Sequence, residues 1–371
     1  MLFIYLIRNC IKTLLLILLL TQLFYAQEDE ELPDTVGVGG INWFAYPFIF
    51  YTPETDLAFG AGGVISFKFS DEPQLKPSNV TGSGFYTLNN QYEFTLKPEI
   101  YLNKDKFKVW FKFNYGKVFD RFYGVGNNTP EIENDKYFQE NFIFNLKLLT
   151  EAFQDELKIG AIYEYRYMDV SDTRGNPFLE SGLLPGSKGG ITSGLGLVAT
   201  WDSRDNIYYP HSGGYYEFSV TSFLKKLGSD FNYNKYIFDF RRFFELSSRH
   251  ILAVQTYLMI ETAFPPFYDL ALLGGDRLMR GYIMGRYRDR TYYVLQAEYR
   301  TPLWWKFRLV FFGGVGDVAP GVSKFTISTI KPSYGVGIRF RLDELEKLDL
   351  RLDVGFGRGT DGTYFSVNQA F

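Results

Sequence analysis

Apolar residues alternate one by one with polar or small residues along most of this chain, and a two-residue period is the pattern of β-strands. In Leu348–Phe356, leucine, valine and phenylalanine occupy every second position, with aspartate, arginine and glycine between them. Segments of about ten residues with one apolar and one charged face are typical of transmembrane barrels, whereas a soluble sandwich has shorter strands and buries its apolar face. The sequence therefore predicts an all-β fold, a transmembrane antiparallel β-barrel.

The last strand predicts how this sheet must close. Phe365, Val367 and Phe371 lie on one face of the last eight residues and form a predicted C-terminal barrel signal. A strand edge inside a membrane needs a partner, and only a closed barrel supplies one. Segments counted back from 362–371 to 41–51 give about sixteen strands, an even number that places both termini in the periplasm. The predicted location is the bacterial outer membrane.

The first 26 residues are predicted to be a secretory signal peptide. Arg8 and Lys12 precede the unbroken apolar run Leu14–Leu20, and a plausible cleavage site lies before Gln27. The run is far shorter than the roughly 18 residues of a spanning helix, which argues against the alternative, an uncleaved anchor. The predicted domains are the signal peptide (1–26), a short periplasmic N-terminal segment (27–40) and the outer-membrane β-barrel (41–371).

Composition argues against several classes of function. The only cysteine, Cys10, precedes the apolar run, so the mature chain is predicted to have no disulfide and no cysteine metal site. The signal peptide carries two of the 39 basic residues and none of the 42 acidic ones, so the mature net charge is −5, which argues against nucleic acid as a partner. Only His211 and His250 are present, and no metalloprotease or phosphate-binding glycine motif appears. No catalytic residue, metal or cofactor is therefore predicted.

Two stretches depart from the alternation. Ala271–Arg290 is long, carries five arginines and contains four glycines as turn points. It is either a solvated outer loop or a loop folded back into the lumen, tied by an arginine to a carboxylate of the wall. The second stretch, 202–214, is a turn whose geometry Pro210 and Gly213 set, and composition alone favours solvated charges there.

Several motifs resemble the BamA/TamA-type barrels, also called the bacterial surface antigen family. The run GGDRLMRGY, followed after a gap by AEYRTPLWW, resembles that family's long loop, whose arginine–glycine–aromatic motif matches Arg280, Gly281 and Tyr282. The turn after residue 201 is similar to the family's periplasmic turn of the form D-x-R-D-n … P-x-x-G, and the closing LRLDVGFGRGT…YFSVNQAF resembles its last two strands. The matched turn residues are Asp202, Arg204, Asp205, Pro210 and Gly213.

The resemblance implies a loop that lies in the lumen and is braced by Arg280. The family's strand after this loop usually has the sequence F-x-D-x-G, but this chain has Gly314 in place of the acid, and Asp317 lies three residues beyond it. We therefore assign the carboxylate that pairs with Arg280 to Asp353, which the alternation points inward on the next-to-last strand. Residues 27–40 cannot hold the POTRA repeats that normally precede such barrels, so the resemblance is to a version that lacks them.

By this resemblance, the chain would aid insertion, assembly or translocation of outer-membrane protein or lipid. The expected partners are outer-membrane lipid, outer-membrane protein clients, and accessory proteins of the periplasm or outer membrane. Two alternatives stay open: a passive solute pore, which about sixteen strands also allow, and an accessory barrel subunit of a larger envelope complex. None of the three is an enzyme.

Overall fold

The computed structural model describes residues 41–52, 56–69, 76–343 and 347–371. The predicted signal peptide and N-terminal segment lie outside the described residues. Within these ranges, sixteen antiparallel strands form one sheet in chain order, and only the short pair β12–β13 lies outside it. The predicted all-β class and the number of strands are confirmed. None of the helices in the described ranges has the length and apolar content to cross a bilayer.

The strands of the sheet are β1 (Ile41–Thr52), β2 (Asp56–Phe67), β3 (Ser78–Thr87), β4 (Tyr92–Leu102), β5 (Phe107–Arg121), β6 (Lys136–Ala152), β7 (Gln154–Asp172), β8 (Gly189–Asp202), β9 (Gly213–Phe223), β10 (Tyr233–Ser247), β11 (His250–Glu261), β14 (Thr291–Trp304), β15 (Phe307–Ala319), β16 (Lys331–Asp343), β17 (Leu348–Gly357) and β18 (Thr360–Val367). The pair outside the sheet is β12 (Ala271–Leu273) and β13 (Tyr287–Asp289). One short helix, α1 (Pro177–Glu180), follows β7.

These strands bury their polar residues and expose their apolar ones, the reverse of a soluble sandwich. In β17, Asp349, Arg351 and Asp353 are buried, while Phe356 on the opposite face is 38% exposed. Hydrocarbon favours the apolar face, and the lumen receives the charged face. The alternation seen in the sequence is therefore an inside-out pattern, and inward charges that are buried need partners within the lumen.

The connections differ at the two ends of the sheet, which we call the loop end and the turn end. The loop end carries the four longest connections that the structure describes: 122–135, 173–188, 262–290 and 320–330. The turn end carries connections as short as 248–249 and 305–306. Trp304 and Trp305 project from the turn end and are 73% and 68% exposed, as expected of an aromatic girdle at a membrane interface.

The long connections of the loop end share a hydrophobic core of their own. Phe122, Leu179 and Phe267 come from three different connections and belong to one buried cluster. The rings of Phe122 and Phe267 lie 4.9 Å apart between centroids. Asn176 caps α1 by accepting hydrogen bonds from the first turn, and so positions Leu179. The core holds these loops against one another.

The last strand ends earlier than the sequence predicts. β18 stops at Val367, and Asn368 adopts a left-handed conformation with a φ of +70°. Phe365 is 49% exposed on the outer face, as predicted, but Phe371 is only 5% exposed. The prediction of a strand that continues to Phe371 with a single apolar face is therefore wrong.

A contact made inside the lumen explains this difference. Phe371 belongs to a buried cluster with Phe243 and Ala253, and its backbone oxygen accepts a hydrogen bond from Arg300 Nη2 at 2.8 Å. Residues 368–371, here called the tail, therefore leave the strand, and Phe371 at their end is buried against inward-facing side chains of the barrel. Local alternation cannot reveal a contact between residues so far apart in the sequence.

We expect each end of the sheet to be accessible from one side of the membrane only. Ser323 at the loop end and Ser248 at the turn end are both exposed, and the sequence has no cysteine after Cys10. Bacterial barrels keep their short turns in the periplasm. A membrane-impermeant maleimide should therefore label Ser323→Cys in intact cells, and Ser248→Cys only after permeabilisation of the outer membrane. Labelling of Ser248→Cys alone in intact cells would reverse the predicted orientation.

Candidate functional site

The connection between β11 and β14 enters the lumen and forms the candidate site. Its base is the short pair β12–β13, and its tip comprises residues 274–286, here the lumen loop. Arg280 in this tip is 1% exposed. Of the two interpretations of this stretch, the loop folded into the lumen is confirmed, and the solvated outer loop is wrong.

Two carboxylates of the barrel wall hold Arg280. Its Nη2 lies 2.6 Å from Glu298 Oε2 on β14, and its Nη1 lies 2.6 Å from Asp353 Oδ2 on β17. Its guanidinium stacks on the ring of Phe312 on β15, 3.6 Å from the ring centroid. A planar guanidinium suits this position because it donates in two directions and stacks on an aromatic face. The structure thus brings Asp353 to Arg280 and adds Glu298 as a second partner.

These three side chains belong to a larger group of buried charges, the wall cluster, formed by Arg280, Glu298, Arg300, Arg339 and Asp353. Arg339 Nη1 lies 2.5 Å from Asp353 Oδ1, and Arg300 Nη2 lies 2.9 Å from Glu298 Oε1. All five side chains are at most 1% exposed. Burying an ion is expensive unless opposite charges and hydrogen bonds replace its water. Each carboxylate here faces at least two arginines, so displacing one member leaves another buried and less well paired.

Gly281 allows the lumen loop to lie directly on β17. Its φ of +107° is left-handed, and a Cβ at this position would lie 2.5 Å from the carbonyl carbon of Phe356. On the facing strand, a Cβ on Gly355 would lie 2.8 Å from the backbone of Arg280. Glycine at both positions therefore permits backbone contact, and that contact brings the Arg280 side chain within reach of Asp353.

Tyr282 fastens the same loop to the strands beyond β15. Its hydroxyl donates to the carbonyl oxygen of Pro332 at 2.9 Å and accepts from the backbone N–H of Arg358 at 2.9 Å. The backbone N–H of Gly281 donates to the hydroxyl of Tyr364 on β18 at 2.8 Å. The three residues of the arginine–glycine–tyrosine motif thus act as one unit, each with its own contact to the wall.

Two acidic residues order the turn between β8 and β9, so its charges are not simply left in solvent. Asp202 accepts hydrogen bonds from Arg204 at 2.8 and 3.0 Å. Asp205 accepts a hydrogen bond from the backbone N–H of His211 at 2.8 Å. Burial opposes the charge of Asp205, but hydrogen bonds from His211 and Ser212 outweigh it and lower the pKa of this carboxyl to about 2. The turn is therefore built around ionised carboxylates.

The same turn inserts an aromatic ring into the turn end of the lumen. Tyr209 is 2% exposed, and the guanidinium carbons of Arg308 and Arg341 lie 5.1 and 5.0 Å from its ring centroid. Pro210 follows it and is also buried. Gly213 has a φ of +85°, and a Cβ there would lie 1.9 Å from backbone across the turn. The predicted turn residues thus position Tyr209 at one end of the lumen, while the lumen loop enters from the other.

Sequence reasoning missed Glu298 and Tyr209 as parts of this site. The alternation identifies Glu298 as inward-facing, but a two-residue period gives the face of a strand and not the partner across the lumen. Nothing in the pattern distinguishes Tyr209 from other turn residues. Asp317, the acid nearest to the altered strand motif, pairs instead with Lys331 Nζ at 2.9 Å.

Comparison with known proteins agrees with this fold. Residues 59–371 match the Omp85 superfamily domain. The fold is similar to the crystal structure of BamA from Haemophilus ducreyi lacking POTRA domains 1–3, with 14% identity, a TM-score of 0.56, and coverage of 88% of this chain and 70% of that one. A search of curated protein sequences found no match.

Two CdiB structures are also similar in fold. CdiB from Acinetobacter baumannii shows 12% identity and a TM-score of 0.57, with coverage of 88% of this chain and 59% of that one. CdiB from Escherichia coli shows 12% identity and a TM-score of 0.56, with coverage of 91% and 63%. The present chain spans less than two thirds of either CdiB chain, and these identities show a common fold alone.

Removal of Arg280 should release the lumen loop. Breaking one side of a buried ion pair costs on the order of 3–5 kcal/mol, and we expect less here because Arg300 and Arg339 still pair with the two carboxylates. In detergent-solubilised protein, trypsin should cut Arg280→Ala within 274–286 about tenfold faster than wild type. A tenfold increase corresponds to a loss of about 1.4 kcal/mol in the local stability of the loop. Arg290→Ala, in the same connection but outside the wall cluster, is the control. Equal cleavage of both variants would show that Arg280 does not hold the loop.

The substitution Gly281→Ala should release the lumen loop because the added Cβ would overlap with the backbone of Phe356. Gly359 has a φ of +70°, but a Cβ there would meet no atom within 4 Å, so Gly359→Ala pays only the left-handed backbone penalty of about 1–2 kcal/mol. Gly281→Ala adds the overlap with Phe356, so its loop should be cleaved as fast as that of Arg280→Ala. If trypsin cleaved Gly281→Ala and Gly359→Ala at the same rate, close backbone contact at Gly281 would not be what holds the loop against β17.

Proposed function

The chain belongs to the Omp85 superfamily, and on that premise we propose that its barrel inserts or translocates outer-membrane protein or lipid through the seam between β1 and β18. The bacterial outer membrane is the location of this barrel family. The observation that carries the proposal is the contrast between a weak seam and the firmly braced wall beside it. The proposal assigns no catalytic chemistry to the chain.

The two strands that flank the seam limit the pairing that can form there. β18 is short and pairs with β17 over eight positions, whereas β1 pairs with β2 over twelve. β1 continues through Pro47, which lies opposite Ala61 on β2, but a proline has no N–H to donate to a ladder. The tail further shortens the seam because residues 368–371 leave the strand direction.

The wall on the other side of β18 is braced across the lumen. Glu298, Arg339 and Asp353 lie on β14, β16 and β17, and the lumen loop joins them through Arg280. Opening within this wall would expose or separate paired ions in a space with little water, which is costly. Opening at the seam breaks none of these pairs. The lowest-energy opening of the sheet therefore lies between β1 and β18.

An opened seam offers chemistry that suits assembly. Two strand edges with free N–H and C=O groups accept an added strand, as in β-augmentation. A client strand could pair there while its apolar face meets lipid directly. A lipid could use the same gap because the gap joins a polar lumen to the hydrocarbon layer.

The passive-pore function receives less support from the geometry. The lumen loop and the tail both occupy space inside the barrel, and the buried core of the loop end gathers three of the long connections. A wide solute channel would need that space to be open. The accessory-subunit function is tested separately by a pull-down from intact membranes, in which stable co-purifying partners would support it.

A disulfide across the seam tests the proposal. Cysteine pairs scanned over Phe44–Phe48 and Thr363–Val367 should yield one that oxidises without unfolding the barrel. In cells where that variant is the sole copy, folded outer-membrane proteins or surface lipid should fall under oxidising conditions and recover with reductant. A second disulfide between Val354 and Thr363, which already face each other across β17 and β18, is the control and should leave assembly unchanged.

Two results would contradict the proposal. Full assembly by the oxidised seam variant would exclude lateral opening. Large, steady conductance of the purified wild-type protein in planar bilayers would favour a pore, provided that the oxidised seam variant conducts equally well.

A further inference from the structure

We propose that a cavity in the lumen, separate from the wall cluster, binds a phosphate group. The cavity has a volume of about 660 Å³, within the roughly 300–1,000 Å³ typical of small-molecule sites. Phe44 and Tyr46 of β1 line one side, and Ser366 and Asn368 near the end of β18 line another. The cavity therefore reaches the seam from inside the lumen.

Two cations line this cavity without a carboxylate partner. Lys97 on β4 and Arg277 in the lumen loop are both exposed to the lumen, and in the described part of the chain neither forms an ion pair. The other lining cations are paired. These pairs are Lys108 with Glu99, Lys147 with Glu217, Arg204 with Asp202, Arg241 with Asp239, and Arg351 with Asp276.

Arg277 is held in place by contacts that leave its charged end available. Its Nε donates to the carbonyl oxygen of Ala370 at 2.9 Å, and its own carbonyl oxygen accepts from Gln296 Nε2 at 2.9 Å. Within the described ranges no hydrogen bond occupies its two terminal nitrogens. A guanidinium anchored at Nε presents both terminal N–H₂ groups as a fork, which is the geometry that binds two oxygens of one anion.

Lys97 and Arg277 are close enough to repel each other. The charge of Arg277 acts on Lys97 across the cavity, and the nearby carboxylates Glu93 and Asp276 offset part of that repulsion. Like charges placed together are destabilising. An anion bound between them would remove that repulsion and gain two charge-assisted contacts.

The charge to be matched favours phosphate over carboxylate. Two unpaired cations present a charge of +2, and a phosphate monoester carries about −1.5 to −2 near pH 7, whereas a carboxylate carries only −1. An arginine fork combined with a lysine point charge is also a usual phosphate-binding pair. A soluble phosphate monoester and the headgroup of phosphatidic acid share this chemistry, and because the cavity reaches the seam, such a headgroup would have a short path from the membrane.

Binding measurements on the purified full-length protein in dodecyl maltoside test the site and separate these two sources. Glycerol 3-phosphate is the soluble probe, and phosphatidic acid in mixed micelles is the lipid probe. We expect saturable binding of at least one probe by calorimetry, and a loss of about tenfold or more in affinity in Lys97→Gln and in Arg277→Gln, equivalent to about 1.4 kcal/mol. Lys324→Gln, which removes an exposed cation from the loop end, should bind as wild type does.

Each outcome decides the proposal. Binding of glycerol 3-phosphate that depends on Lys97 and Arg277 supports a soluble ligand, and binding of phosphatidic acid alone with the same dependence supports a headgroup. No saturable binding of either probe, or binding that both variants retain in full, overturns the site. If Arg277→Gln loses the heat-modifiable gel mobility of a folded barrel, Lys97→Gln decides alone, because Lys97 makes no ion pair within the described residues.

Discussion

The guanidinium of Arg280, held between Glu298 and Asp353, is the contact on which the organisation of the lumen depends. A barrel in lipid must turn its charges inward, and the lumen then holds them in a small space with little water. An arginine delivered by a loop can bridge carboxylates on strands that are not neighbours, which backbone ladders cannot do. Arg280 therefore joins β14 to β17 directly, in addition to the ladders through β15 and β16.

The motif around Arg280 follows from the geometry of that delivery. A loop that enters from the loop end must approach the wall closely enough for a side chain to reach between strands. Gly281 and Gly355 permit the approach because a Cβ on either would overlap backbone. Tyr282 then fixes the depth of insertion through Pro332 and Arg358. Glycine thus allows the loop to approach the wall, arginine bridges the carboxylates of two strands, and tyrosine fixes how deeply the loop is inserted.

The sequence predicted the strands and the inward face of Asp353 because a two-residue period is a local property that each segment carries by itself. The lumen loop and the turn after β8 were identified as breaks in the alternation, and motif resemblance then indicated the position of the loop in the lumen but not all the contacts of either stretch. The second partner Glu298, the insertion of Tyr209 and the inward course of Phe371 were not predicted. Each depends on contacts between residues distant in the sequence, and alternation contains no information about which inward residues meet across a lumen.

The wall cluster also contacts the tail that follows the seam strand β18. Arg339 Nε donates to the side-chain oxygen of Gln369 at 2.9 Å, and the amide of Gln369 donates to Asp349 at 2.7 Å. Arg300 donates to the tail as well as to Glu298, so the arginines that balance the partners of Arg280 also hold residues 368–371. Drawing the tail out of the lumen would leave those arginines with fewer partners and change the balance of charge around Arg280. The same arginines therefore contact both the carboxylates that hold the lumen loop and the tail that follows β18.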